Sequence, residues 1–210
     1  TQEEYAAICD LYGFTEFRKD NIGICGGRQW VAEHFDKTDG DYYIFLEDDM
    51  YIHNKWAGCC PNGFPTYIPG LYDKVHKIME KNGFDILKFC FTEFFGDNKT
   101  QWAWYNVPQE VREQYWPEKK YLPANGLDPN APLTKFNNIR TEEGVAYADG
   151  DIFYCNWPQM VSREGNKKMF LDEKWAHPFE QTWMSYIFQK TIQGVITPAI
   201  LLATPCYHER

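Results

Sequence analysis

Five apolar or aromatic residues in succession, Tyr42-Tyr43-Ile44-Phe45-Leu46, run straight into three carboxylates, Glu47-Asp48-Asp49. An unbroken apolar run of this kind, preceded by the turn-forming Asp39-Gly40-Asp41, predicts a strand buried on both faces instead of an alternating surface strand. The acidic triplet then falls at the strand's carboxyl end, the edge at which open α/β sheets bind ligands. Clustered hard oxygens there suit a divalent cation holding a phosphorylated molecule. Asp and Glu also end strands as solvated turn residues, so the triplet alone leaves both readings open.

Helix and strand patterns alternate around this junction. Tyr5, Ala6, Ile8, Cys9 and Tyr12 predict an amphipathic helix closed by Gly13, followed by an extended piece near Phe14 to Phe17. Gly26-Gly27 open a second helix, with Trp30, Val31, His34 and Phe35 as its apolar stripe. Beyond the triplet, Leu71, Val75, Ile78 and Met79 mark a helix ended by Asn82-Gly83, and Asp85 to Phe91 reads as the next buried strand. From Phe94 to Gly150 the patterning fades into a Pro- and Trp-rich region, which predicts a long functional loop or small subdomain. Asp151 to Asn156 resumes a strand. Trp183, Met184, Ile187 and Phe188 form the apolar face of a helix starting near Glu180, and Val195 to Leu202 is strand-like again.

At 210 residues and 44% hydrophobic content, one compact domain spanning 1–210 is expected. The net charge of −9 argues against a general electrostatic grip on nucleic acid or anionic membrane. No stretch approaches the length of a membrane-spanning segment. The seven cysteines are odd in number and show no CxxC spacing, so zinc or a regular disulfide framework is not expected. Thiols packed as small hydrophobes fit a reducing, cytoplasmic setting. Aromatic residues make up 18% of the chain, a surplus that suits either a dense core or contacts with carbohydrate or protein.

The order of motifs resembles the family-2-like glycosyltransferases of the GT-A fold. Asn21-Ile22-Gly23 with Gly26-Gly27-Arg28, a helix, and Asp41 through Asp49 are similar to that family's Asn-x-Gly, helix-opening Arg and D-x-D strand. Phe170-Leu171-Asp172-Glu173, Trp175, Glu180 at a helix start and the terminal His208-x-Arg210 continue the similarity. The resemblance implies a mixed, mainly parallel sheet flanked by helices. It also implies an inverting, metal-dependent transfer of a sugar from a nucleotide diphosphate donor, such as a UDP- or GDP-sugar, to a carbohydrate or other hydroxyl acceptor. Asp49 and His208 would hold Mn2+ or Mg2+, with Glu47 and Asp48 on the ribose, the sugar or metal-bound water. Arg28 would lie near the nucleotide or its phosphates.

Glu180 corresponds to the catalytic base that takes the acceptor proton, with Asp151 as the alternative base or a donor-sugar contact. Acceptor binding is expected along Trp102, Trp104, Trp157 and Trp175. Glu47 stands where the family more often has Asp, and Gln181 where it has Asp after the base. The family's first strand has no counterpart here, and Thr1 to Gly13 resemble the helix that follows it, so a preceding segment is expected to complete the sheet. A noncatalytic carbohydrate-binding protein on the same core is the contrasting class. A retaining transferase, a nucleotidyltransferase and a glycosyltransferase acting on modified DNA bases are further enzymatic alternatives.

Overall fold

A computed structural model describes residues 2–17, 19, 21–58, 64–91, 135–172 and 180–208, with backbone alone at 2, 135, 180–182, 185 and 208. Helices α1 (Gln2–Tyr12) and α2 (Gly23–Asp36) lead into β1 (Tyr42–Phe45), β2 (Met50–Ile52), α3 (Leu71–Asn82) and β3 (Ile86–Lys88). The hairpin β4 (Lys135–Glu142) and β5 (Val145–Asp151) follows. Then come β6 (Gln159–Ser162), the short α4 (Arg163–Asn166), a π-helical turn (Lys167–Leu171), α5 (Glu180–Ile192), β7 (Pro198–Leu201) and β8 (Cys206–His208). Six strands form one sheet in the order β1-β6-β3-β7-β5-β4, and β2 pairs with β8 in a separate ribbon.

The sheet sorts its side chains by the two-residue period of a strand. Leu87 and Met160 point toward α3, where Leu71, Val75, Ile78 and Met79 meet them. Ile86 and Val161 point the other way, against Ala32 of α2, Phe170 of the π-helical turn and Trp183 and Ile187 of α5. The result is a sheet with helices on both faces. Helix α3 ends as its sequence suggests: Gly83 adopts a left-handed φ of 66°, and its N–H bonds to the Met79 carbonyl at 2.8 Å.

Buried Asp85 ties the second layer to the sheet. Lys168 Nζ lies 3.0 Å from both of its carboxylate oxygens, and the Thr197 N–H donates to Oδ2 at 2.9 Å. Its backbone carbonyl accepts from Ser162 N–H at 3.0 Å. Ser162 in turn caps α4 by accepting from the Gly165 N–H at 2.9 Å. This brings α4 so close to β3 that a methyl group on Gly165 would collide with the Asp85 carbonyl, its Cβ falling 2.7 Å from the carbonyl carbon.

Several expectations need correction. The sheet is mixed, but only β3 and β7 are parallel neighbours; every other adjacent pair is antiparallel. Strand β1 is half-buried at all four residues, and among the described residues it has one neighbouring strand, β6. Helix α2 begins at Gly23 and buries Cys25, Arg28, Ala32 and Phe35, so Trp30 and His34 belong to its outer side. There they stack with Phe17, whose ring lies 5.1 Å from Trp30 and 4.7 Å from His34. The strand expected from Asp151 instead ends at that residue. Part of the region from 94 to 150 is the β4–β5 hairpin, with Glu143 and Gly144 both at positive φ in its two-residue turn. The rest of that region, 94–134, lies outside the described residues.

Candidate functional site

The site begins where β1 ends. Glu47 is half-buried, while Asp48 and Asp49 are exposed in the turn that leads to β2. That turn closes with the Met50 N–H on the Glu47 carbonyl at 3.3 Å. Strand β2 then pairs antiparallel with β8, setting Met50 opposite His208, Tyr51 opposite Tyr207 and Ile52 opposite Cys206. Directly paired residues in such a ribbon have Cα atoms about 4.5–5.5 Å apart. The backbone therefore brings His208 beside Asp49, although 159 positions separate them in the chain. Stacking of Tyr51 on Tyr207, with centroids 5.3 Å apart, supports the register.

On the other side of Glu47 a pocket of about 640 Å³ opens between the first turn of α2 and the end of β1. Gly23, Gly27, Arg28, Phe45, Glu47 and Asn156 are among the residues that line it. The first turn of α2 has no acidic residue, and its N-cap residue, Ile22, offers no side-chain cap to the free N–H groups. An uncapped helix N-terminus attracts anions through those N–H groups and the helix dipole. Gly27 leaves the wall open: a Cβ built there meets nothing within 4 Å.

Arg28 is the unusual residue of this pocket. It is only 3% exposed, and its guanidinium lies 3.6 Å from the Phe45 ring centroid and 4.9 Å from that of Phe170. Nη2 donates to the Tyr154 hydroxyl at 2.8 Å; Nε and Nη1 have no partner in good hydrogen-bond geometry among the described residues, although the Tyr43 hydroxyl is near enough to interact with the guanidinium. Burial opposes the Arg28 charge, yet the phenols of Tyr154 and Tyr43 outweigh that and hold the guanidinium more firmly protonated than usual. Tyr154 is itself anchored, donating to Asn156 Oδ1 at 3.1 Å and accepting from Gln159 Nε2 at 3.3 Å. Burial pushes its phenol up to about 12.

The remaining candidates fall in several places. Glu180 is the first residue of α5, as its sequence position suggests, and its side chain lies outside the described residues. Asp151 is not brought to the triplet. It ends β5, four strands across from β1, and the register places it level with Lys135, toward the opposite end of the sheet. It lines a second pocket of about 470 Å³ with Asn82, Arg140 and Thr197. Trp157 packs partly against the α3-side core. Trp102, Trp104 and Trp175 lie outside the described residues.

Asn156, Phe17 and Lys19 join the first pocket without any local motif to announce them. Their approach depends on chain segments far apart in sequence. Among the described side chains, to which that of His208 does not belong, no three of His, Cys, Asp or Glu form a metal-binding group. The exposed carboxylates of Asp48 and Asp49 are hard oxygen donors of the kind that can hold a divalent cation. Comparison with known protein families finds no family model that matches the chain, and comparison with curated proteins finds no match.

Proposed function

We propose that this chain is a metal-dependent glycosyltransferase of the GT-A type, moving a sugar from a nucleotide diphosphate donor to an acceptor hydroxyl with inversion. The observation that carries this reading is the Arg28 pocket. A buried guanidinium with two nitrogens short of a well-placed partner and a helix N-terminus without a capping side chain at its N-cap meet in one cavity, directly beside the acidic triplet. Both cationic features face where a diphosphate would lie, and the carboxylates supply what a cation would need.

On this reading Arg28 and the first-turn N–H groups of α2 bind the diphosphate. Asp49 and His208 hold Mn2+ or Mg2+, and Glu47 and Asp48 contact the ribose, the sugar or metal-bound water. A bound divalent cation would neutralise the charge that develops on the departing diphosphate. Glu180, at the start of α5, would take the proton of the attacking hydroxyl. Among the described residues no helix is long and apolar enough to cross a membrane.

The test is a panel of sugar nucleotides, scored by thermal stabilisation and by release of nucleoside diphosphate with and without manganese. At least one member should stabilise the protein only with manganese and be turned over, and Asp49→Ala should abolish turnover. Full activity in Asp49→Ala would sink the metal assignment, and binding without turnover would favour a carbohydrate-binding protein.

A further inference from the structure

We infer that Tyr154 is a positioning residue of the Arg28 pocket, a role that rests on the diphosphate reading of that pocket: its hydroxyl fixes the guanidinium and the Asn156 amide in the orientation a bound diphosphate would meet. Arg28 and Asn156 both line the cavity, and Tyr154 stands behind them. Its influence on a ligand would therefore pass through its two partners.

A phenol oxygen can donate one hydrogen bond and accept two. All three are in use at Tyr154. Its O–H goes to Asn156 Oδ1 at 3.1 Å, which leaves the lone pairs for Arg28 Nη2 at 2.8 Å and Gln159 Nε2 at 3.3 Å. Turning the hydroxyl would break at least one of these bonds. The ring is held as firmly, being 3% exposed and 6.2 Å from the rings of both Phe170 and Trp183. Tyr154 lies between β5 and β6, outside both strands. Buried Lys88 of β3 secures that segment by donating from Nζ to the Phe153 carbonyl at 2.8 Å.

Stacking alone would not fix Arg28. Phe45 and Phe170 confine the guanidinium at 3.6 and 4.9 Å, but a ring face attracts a cation without choosing among its N–H directions. The bond from Nη2 to Tyr154 supplies the missing direction. It commits one nitrogen to the protein and thereby sets where Nε and Nη1 point, the two donors without a well-placed partner among the described residues. Arginine has much rotamer freedom, and a ligand that must order such a side chain binds more weakly. By holding Asn156 Oδ1, the same hydroxyl also sets the direction of the Asn156 Nδ2 donor.

The test compares the native chain with Tyr154→Phe and Arg28→Met. Calorimetry with inorganic pyrophosphate and Mg2+ gives Kd. Heteronuclear NMR reports the Arg28 guanidinium, whose η nitrogens give separate signals only while rotation of the group is restricted, and Arg28→Met identifies those signals by their loss. The native chain should bind pyrophosphate and show the signals resolved. Tyr154→Phe should average them and raise Kd about tenfold. A native-like Kd in Tyr154→Phe would overturn the inference, as would a raised Kd with the signals still resolved, or averaged signals in the native chain. If Arg28→Met weakens binding and Tyr154→Phe does not, the diphosphate pocket stands and the positioning role falls. If the native chain and Arg28→Met bind equally or not at all, the pocket reading falls and takes the inference with it. Should Tyr154→Phe fail to fold, the nearly isosteric Gln159→Met removes one of the three bonds to the phenol. It should raise Kd about threefold, and an unchanged Kd there would overturn the inference.

Discussion

Arg28→Met separates a residue kept for a ligand from one kept for the fold. The substitution keeps an apolar stem between Phe45 and Phe170 but loses the charge-assisted bond to Tyr154, a loss of about 1.5–3 kcal/mol. It also loses stacking on two rings, about 2 kcal/mol when desolvated. Against these stand Nε and Nη1, two buried donors without well-placed partners among the described residues, each costing about 1–3 kcal/mol in the free protein. The Tyr154 hydroxyl retains Asn156 and Gln159. The opposing contributions are similar in size, so urea unfolding should show Arg28→Met within about 1 kcal/mol of the native chain.

Ligand binding should behave differently. Two charge-assisted bonds to a diphosphate are worth about 3–4 kcal/mol together, so calorimetry with a sugar nucleotide and manganese should show a Kd weakened by a factor on the order of 10²–10³. A stability loss above about 3 kcal/mol with an unchanged Kd would refute the reasoning and make Arg28 a structural post.

Two further outcomes follow from the packing. Gly165→Ala should destabilise the protein by about 3 kcal/mol or more in urea unfolding, because its Cβ would press on the Asp85 carbonyl and part the Ser162 bonds that join α4 to β3; a change below about 0.5 kcal/mol would contradict that close approach. Tyr154, whose phenol burial raises from the usual 10.0 to about 12, contributes stability that is fully present below pH 10 and declines as pH rises toward 12, by about 3 kcal/mol in all; Tyr154→Phe should lack that part of the alkaline decline.

Helix positions were most legible where apolar periodicity and a punctuating residue agreed. Leu71, Val75, Ile78 and Met79 with Asn82-Gly83 define α3, and Trp183, Met184, Ile187 and Phe188 define the buried side of α5. In helix α2 the expected stripe includes the buried Phe35 but also Trp30 and His34 on the outer side, because the residue central to the buried face is an arginine, which hydrophobic periodicity counts as surface. The β4–β5 hairpin was hidden for two reasons: its turn uses Glu143-Gly144 instead of a usual Asn-Gly pair, and its outer strand is largely polar. That β1 has one neighbouring strand among the described residues is a property of its surroundings and leaves no mark on its own residues. Within the site, the order of motifs anticipated that His208 approaches Asp49, whereas the Asn156 wall and the isolation of Asp151 depend on long-range registers.

The sign of the charges gives the proposed site its strongest internal constraint. Arg28 and the α2 amides invite an anion into a pocket that Glu47 also lines, with Asp48 and Asp49 next along the chain. One carboxylate about 5 Å from a phosphate oxygen repels it by roughly 1–3 kcal/mol at effective dielectric constants between those of bulk water and a protein surface. Several carboxylates together would cancel much of what Arg28 contributes. A divalent cation between them reverses the balance, turning the triplet from a barrier into part of the diphosphate site. The repulsion is smallest for an uncharged sugar, which needs no such bridge. Metal dependence should therefore grow with ligand charge: strongest for a sugar nucleotide, weaker for a nucleoside monophosphate and absent for the free sugar. A simple carbohydrate-binding surface has no physical reason to follow that order.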